Sequence, residues 1–257
     1  MQAPDATPRA EKFAASRRAA QTLGWEFRHV ASTGSTNADL AHEARAGARH
    51  AAVLTTDHQT AGRGRLDRSW HDDGHGQLMV SIRLPADGVE TAWITGAVAA
   101  AARSAVAALG ASVRFKWPND LMIESATATG KLAGVLAEYV VGPPDVIVVG
   151  MGLNVGSPGI DGAASLADLG VEVSRDQVLA GLVTELPSRL AAPESVAREL
   201  RSHSATIGRR VRVERPGDDL VGDAVDIDAD GRLIIEADGD RHLVSAGDVV
   251  HLRPHGG

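Results

Sequence analysis

The chain has 257 residues, 44% of them hydrophobic and 23% charged, a globular composition long enough for one large domain or for a large and a small one. A formal net charge of -7 argues against a protein that wraps a long polyanion, and the absence of cysteine excludes disulfide frameworks, thiolate metal sites and cysteine nucleophiles. No apolar run reaches the ~18 residues of a membrane span, the opening stretch lacks the apolar core of a secretory signal, and the chain reads as cytoplasmic.

In chain order, residues 11–24 predict one short amphipathic helix stopped by Gly24, too short for a helix-turn-helix module, which needs at least two packed helices. Residues 25–30 alternate and predict a strand. The Ser/Thr/Asn run before Ala38 predicts a helix starting near Thr36. Strands are predicted over 51–59 and 76–85, the second stopped by Pro85, and the Ala-rich stretch 91–110 predicts a long helix. A short strand ends at Pro118. Two paired strands follow over 130–141 and 145–156, the second apolar enough to be central. Helices are predicted near 174–191 and 193–203. From Thr206 onward the texture changes to short strands between Gly/Asp turns, which suggests a small β-barrel. Hairpin strands mixed with helices favour an α+β fold over an alternating parallel sheet.

Three segments carry chemistry. "HQTAGRGRLDRSW" (58–70) packs three arginines among glycines. Glycine lets a main chain approach a ligand, and guanidinium matches carboxylate or phosphate. Alone, such a segment is more often a solvated loop, but Gln59 and Trp70 are poor choices for a floppy tip. "KWPND" (116–120) leaves Asn119 and Asp120 where a strand ends, although an Asn/Asp turn accounts for "PND" alone. "TGKLAG" (129–134) sets Lys131 between glycines at a strand start, where it suits a phosphoryl oxygen or is a plain exposed lysine; it is not a Walker loop. Three lookalikes are set aside. "GMGLNVG" has Val155 where a dinucleotide site needs its third glycine. Residues 226–237 mimic a calcium loop but put Ala237 at the last position, so a hairpin turn is preferred. His71 and His75 lack a third metal ligand.

Taken in order, Ser35-Thr36-Asn37, Gln59, Gly62-Arg63-Gly64-Arg65, Arg68 with Trp70, Lys116-Trp117-Pro118-Asn119-Asp120, Lys131-Leu132-Ala133-Gly134 and Gly152-Leu153-Asn154 resemble the biotin protein ligases, closely over about residues 25–156. The resemblance implies a mixed β-sheet catalytic domain with packed helices (class II synthetase/biotin ligase-like), followed by a small SH3-like β-barrel. It implies a tail and short helix over 1–24, a catalytic domain over 25–205 and the barrel over 206–257. The activity implied has two steps: biotin is activated by ATP, with Mg²⁺, as biotinyl-5′-AMP, and then passed to a lysine of the biotin carboxyl carrier domain of an acyl-CoA or pyruvate carboxylase. Lys131, Arg65 and Arg68 are the implied catalytic cations. Ser35, Thr36, Asn37, Gln59, Gly62, Arg63, Gly64, Arg65, Lys131 and Gly134 are the implied biotin contacts. Arg65, Arg68, Trp70, Asn119, Asp120, Lys131 and Asn154 are the implied ATP contacts, with Asn154 reading the adenine edge and Asp120 near the metal. The arginine loop is implied to close over a water-sensitive anhydride.

Two departures bear on this. Asp67 stands where the family pattern has Gly, adding a negative charge to the loop, and Met79 stands in the pocket wall where an aromatic would fit. Family members that act as repressors carry an N-terminal winged helix-turn-helix, so no operator or other nucleic-acid binding and no repressor role are expected here.

Overall fold

The computed structural model describes residues 12–65, 68–70, 76–214, 218–245 and 247–252. The first helix, α1 (Ala14–Thr22), stops where Gly24 takes a φ of 71°, and the Trp25 N–H turns back onto the Ala20 carbonyl. Then come β1 (Glu26–Thr33), α2 (Thr36–Arg45), β2 (Ala52–Gln59) and β3 (Leu78–Pro85). A 3₁₀ turn leads into α3 (Ile94–Ala108), followed by β4 (Arg114–Lys116), β5 (Asp120–Glu124), β6 (Thr129–Val140) and β7 (Val146–Leu153). Helices α4 (Arg175–Leu190) and α5 (Pro193–Ser202) precede five short strands, β8 (Arg210–Glu214), β9 (Leu220–Ile227), β10 (Leu233–Ala237), β11 (Asp240–Val244) and β12 (Asp248–His251).

The first seven strands form one mixed sheet in the order β1-β2-β3-β7-β6-β5-β4. Only β1 and β2 pair in parallel; the remaining neighbours are antiparallel. Period-two alternation divides its faces. Ile147, Val149 and Met151 of β7 point into the main core with Leu78, Val80 and Ile82 of β3. Val146 and Val148 point the other way and pack with Leu40 and Ala41 of α2. Further along that second face β7 changes from valine to glycine at Gly150 and Gly152, which opens the sheet surface.

Small residues let the helical layer sit close. A Cβ at Gly181 of α4 would lie 2.8 Å from Ala105 of α3, and one at Gly96 of α3 would lie 3.1 Å from Leu200 of α5. Helix α4 begins on a capping box in which Ser174 and Gln177 satisfy each other's main chain.

The five C-terminal strands pair antiparallel in the order β11-β10-β9-β8-β12, an open sheet by its pairing among the described residues. Residues 228–232 form the β9–β10 hairpin turn, where the Asp228 carboxylate accepts from the main-chain N–H groups of Asp230 and Arg232. That local closure holds Asp228 below the usual carboxylate range: burial pushes its pKa up, and the Arg232 contacts together with the Asp230 N–H outweigh it.

The turn expected at Pro118 is present over residues 117–119, but the sequence reading did not foresee strand β5: Asp120 opens a strand that pairs with both β4 and β6.

Candidate active site

The glycine surface of β6 and β7 is the floor of a cavity of about 310 Å³, within the range that small-molecule sites occupy. Its walls come from the start of α2, the end of β2, the arginine loop, the KWPND segment and the C-terminal sheet.

One end is neutral and polar. Ser35 is the N-cap of α2, with its hydroxyl 3.5 Å from the Ala38 N–H. Gln59 Oε1 accepts the Thr36 N–H at 2.9 Å, so the last residue of β2 satisfies another donor of the same helix start. Ser81 of β3 lies 2.7 Å from the Thr36 hydroxyl and donates to Asn37 Oδ1 at 2.5 Å. Asn37 Nδ2 donates to Glu138 Oε1 at 3.0 Å. Gly150 makes room for this: a Cβ there would lie 2.2 Å from Asn37 Oδ1.

The other end is cationic. The arginine loop folds back as a narrow hairpin in which the Trp70 N–H donates to the Gly62 carbonyl and Arg63 bridges Ser69. The Trp70 indole lies flat on the glycine strip, since a Cβ at Gly152 would come within 2.2 Å of it and one at Gly134 within 3.3 Å. Arg63 pairs with Glu138 at 2.5 Å, Arg65 Nη1 donates to Asn119 Oδ1 at 3.0 Å, and Arg68 pairs with Asp248 of β12. Asn119 is itself fixed by donating to the Val135 carbonyl at 2.7 Å. Lys131 reaches in from β6, 2.8 Å from Asp120 Oδ1 and 5.6 Å from the Trp70 ring centroid. Burial lowers the Arg65 pKa, with Arg68 adding to it and Asp248 and Asp120 opposing. A guanidinium displaced that way gains most from an incoming anion.

Ser35, Thr36, Asn37, Gln59, Arg63, Gly64, Arg65, Arg68, Trp70, Asn119, Asp120, Lys131 and Gly134 all line this one cavity. Two predicted residues do not. Gly62 serves the neck of the loop: a Cβ there would lie 2.6 Å from the Trp70 carbonyl oxygen. Asn154, expected at a nucleotide base, is 3% exposed beneath the floor, where its amide donates to the Lys131 and Ala164 carbonyls. With both amide donor protons engaged by the main chain, it braces the start of β6. Met79 is buried and stands outside the cavity wall, and Asp67, His71 and His75 lie outside the described residues.

Sequence reasoning missed Ser81, Glu138 and Asp248. Ser81 had a signal, a lone hydroxyl in an otherwise apolar strand; Asp248 had none, because it arrives from a remote sheet. It also missed the work of Trp117. That side chain is 6% exposed and its Nε1 donates to the Gly231 carbonyl of the β9–β10 turn. Trp93 Nε1 donates to the Ala229 carbonyl of the same turn.

Such a cavity accepts a molecule with a neutral polar head, a slim apolar body lying along glycines, and an anionic end. Four cations at that end can hold two anions together against their repulsion, which is the requirement for joining a carboxylate to a nucleotide phosphate.

A model described as the biotin/lipoate A/B protein ligase family matches residues 30–154, and one described as the biotin protein ligase C terminal domain matches 206–252. The chain is similar to a biotin–[acetyl-CoA-carboxylase] ligase of Mycobacterium tuberculosis, 43% identical over 90% of this chain and 91% of the relative. It is also similar to the bifunctional ligase/repressor BirA of Escherichia coli, 31% identical over 71% of this chain and 61% of the relative. Among solved structures, a biotin protein ligase from Aquifex aeolicus in complex with biotin and ATP superposes with a TM-score of 0.77, covering 89% of this chain and 99% of that one. At 23% identity that likeness is one of fold.

Proposed function

The chain belongs to the biotin protein ligase family, and from that premise we propose that it activates biotin with ATP and transfers it to a lysine of a biotin carboxyl carrier domain. The observation that carries this reading is the single cavity shared by Arg65, Lys131 and the neutral Thr36–Asn37–Ser81 end.

Biotin suits the three regions in turn. Its uncharged ureido ring meets the hydroxyl and amide groups of Ser35, Thr36, Asn37 and Gln59. Its thin tail takes the strip of Gly134 and Gly152 once the Trp70 indole, which covers that strip here, moves aside. Its carboxylate ends at Lys131. ATP enters from the side of Arg65, Arg68, Asn119 and Asp120. In the first step a carboxylate oxygen attacks the α-phosphorus, the bond to the bridging oxygen breaks, and pyrophosphate leaves with that electron pair. Lys131, between the two substrates, neutralises charge that builds on the α-phosphoryl oxygens, and Arg65 and Arg68 hold the phosphates in line. In the second step the neutral amine of the carrier lysine attacks the acyl carbon, the acyl–phosphate bond breaks, and AMP leaves.

Lys131 must exchange Asp120 for substrate before the first step. Asp120, so released, is the carboxylate that would hold Mg²⁺ carried by the nucleotide. The donor set fits that role and no larger one: among the described residues no group of three or more metal-binding side chains occurs, and Mg²⁺ commonly takes one or two carboxylates with phosphates and water. The bound ion would neutralise phosphate charge.

In this reading residues 25–205 form the catalytic domain and 206–257 an SH3-like barrel, and the protein works in the cytoplasm on an acyl-CoA or pyruvate carboxylase. ATP–pyrophosphate exchange, measured with biotin, with lipoate and with no acid, is the test. Exchange is expected with biotin alone; exchange driven by lipoate alone would overturn the substrate.

A further inference from the structure

Glu138 sits on β6 one turn of the pleat beyond the cavity, and no feature of its sequence neighbourhood marks it. Its Oε1 accepts from two donors that belong to different parts of the site. One is Asn37 Nδ2 at 3.0 Å, from the polar end; the other is Arg63 Nη2 at 2.5 Å, from the arginine loop.

The donors behind Asn37 form an ordered chain. Ser81 uses its single hydroxyl proton on Asn37 Oδ1, so its 2.7 Å contact with Thr36 leaves the one Thr36 hydroxyl proton shared between Ser81 Oγ and Gln59 Oε1, 3.1 Å away. Protons therefore point one way from Ser81 through Asn37 to Glu138, with Thr36 joining Ser81 to Gln59. The Thr36 N–H is in turn held by Gln59, the residue from which the arginine loop departs. The circuit thus leaves the base of the loop, crosses α2, β3 and β6, and re-enters the loop at Arg63. A carboxylate oxygen can accept from both arms at once, and unlike an amide oxygen it adds a charge opposite to that of Arg63.

We propose that Glu138 is a positioning residue that couples the acid-binding end of the cavity to the arginine loop. By holding Arg63 it sets the neck of the hairpin, and Trp70 then lies on Gly134 and Gly152. Arg65 and Arg68 are left to meet phosphate. A ligand that engages Thr36 or Asn37 acts on the same chain that holds the loop closed. This rests on the functional reading above for the identity of the ligand, but the coupling itself is a property of the protein alone.

The test uses the full chain and four variants: Glu138→Gln, Glu138→Ala, Arg63→Gln and the double variant Glu138→Gln/Arg63→Gln. Glutamine keeps an acceptor for Asn37 but removes the charge facing Arg63. Two quantities are read, tryptic cleavage after Arg65 and Arg68 without ligand, and the dissociation rate of biotinyl-adenylate formed in place. Both are expected to rise about fivefold in each single Gln variant, the scale of one half-exposed ion pair. The double variant is expected to be no faster than either single, because the two side chains act as one pair. Glu138→Ala, which also strands Asn37, is expected to raise the KM for biotin as well. Effects that multiply in the double variant, or cleavage unchanged in Arg63→Gln, overturn the proposal. Arg63 is at the surface, so its variant decides the matter even if a Glu138 variant fails to fold. If the wild type shows no biotin-dependent exchange, the functional reading fails, while ligand-free cleavage still tests the coupling.

Discussion

Lys131 and Asp120 illustrate how far single residues determine this site. Lys131 is 38% exposed and 2.8 Å from Asp120, so its ammonium is neutralised in the empty protein yet open to replacement of that partner by a substrate. A half-exposed pair of this kind contributes little to stability, about 0–1 kcal/mol. Its loss should therefore fall on chemistry and not on the fold. Lys131→Ala is expected to reduce the maximal rate of biotin-dependent exchange by about a hundredfold or more, the usual scale for removing one charge-stabilising donor. Its melting temperature is expected to stay within a few degrees of the wild type. Near-normal exchange in that variant would remove Lys131 from the reaction. At this scale the sequence offered residue types and not their use: Lys131 between glycines and the arginines of the loop suit an anion, but each alone fits a solvated surface as well, and only their order along the chain carried the resemblance. For Asn154 the resemblance implied an adenine contact, whereas its amide partners, the Lys131 and Ala164 carbonyls, are set by how the segment after β7 lies against β6 and could be seen only in the structure.

The KWPND segment shows what an element adds. Lys116, Trp117, Asn119 and Asp120 all line the cavity, and the Trp117 ring nitrogen also joins that of Trp93 on the β9–β10 turn. The Trp117 N–H is bonded to the Thr206 hydroxyl, so the segment is held from both its backbone and its ring. Strand β4 is further paired to the connection after α5 through Phe115, whose N–H donates to the His203 carbonyl. Asn119, which holds Arg65, is thereby referred to the C-terminal sheet. Trp117→Phe keeps most of the ring but leaves the Gly231 carbonyl without its donor, a loss of about 1–2 kcal/mol. The variant is expected to raise the KM for ATP several-fold in the exchange assay and to leave the KM for biotin near the wild-type value. Equal rises in both would mean general loosening. Helix and strand order was legible because apolar spacing reports which face is buried. Strand β5 was not, since the turn signal of Pro118 and Asn119, met at residues 117–119, does not say that a further strand follows; pairing with β4 and β6 decides that.

Across the molecule, charges from both sheets converge on the seam where His251 ends β12. Its Nε2 contacts the Thr206 hydroxyl at 3.2 Å, and its pKa is lowered to about 4 by burial first, then by Lys116, Arg209 and Arg114, with Glu124 opposing. Above the ordinary histidine pKa of about 6.5 both folded and unfolded states hold it neutral. As the pH falls toward 4 the unfolded chain takes up a proton that the folded one refuses, so stability declines across that interval and levels below it. For a group still partly exposed the loss is about 1–3 kcal/mol after allowing for solvent screening. Urea unfolding of the wild type and of His251→Asn between pH 7 and 4 is expected to give diverging profiles, with the variant the flatter. Parallel profiles would discount His251. The Arg68–Asp248 pair spans the same seam and gives the C-terminal sheet a direct hold on the arginine loop.

The sequence by itself determined the order of most elements and the kinds of group available for binding, because periodicity and side-chain chemistry are local properties. The tertiary structure alone decided that Glu138 ties Asn37 to Arg63, that Trp117 serves a distant turn, and that Asp248 meets Arg68. Those pairs lie 101 and 75, 114, and 180 positions apart, and at such separations only the packing of one layer on another selects a partner.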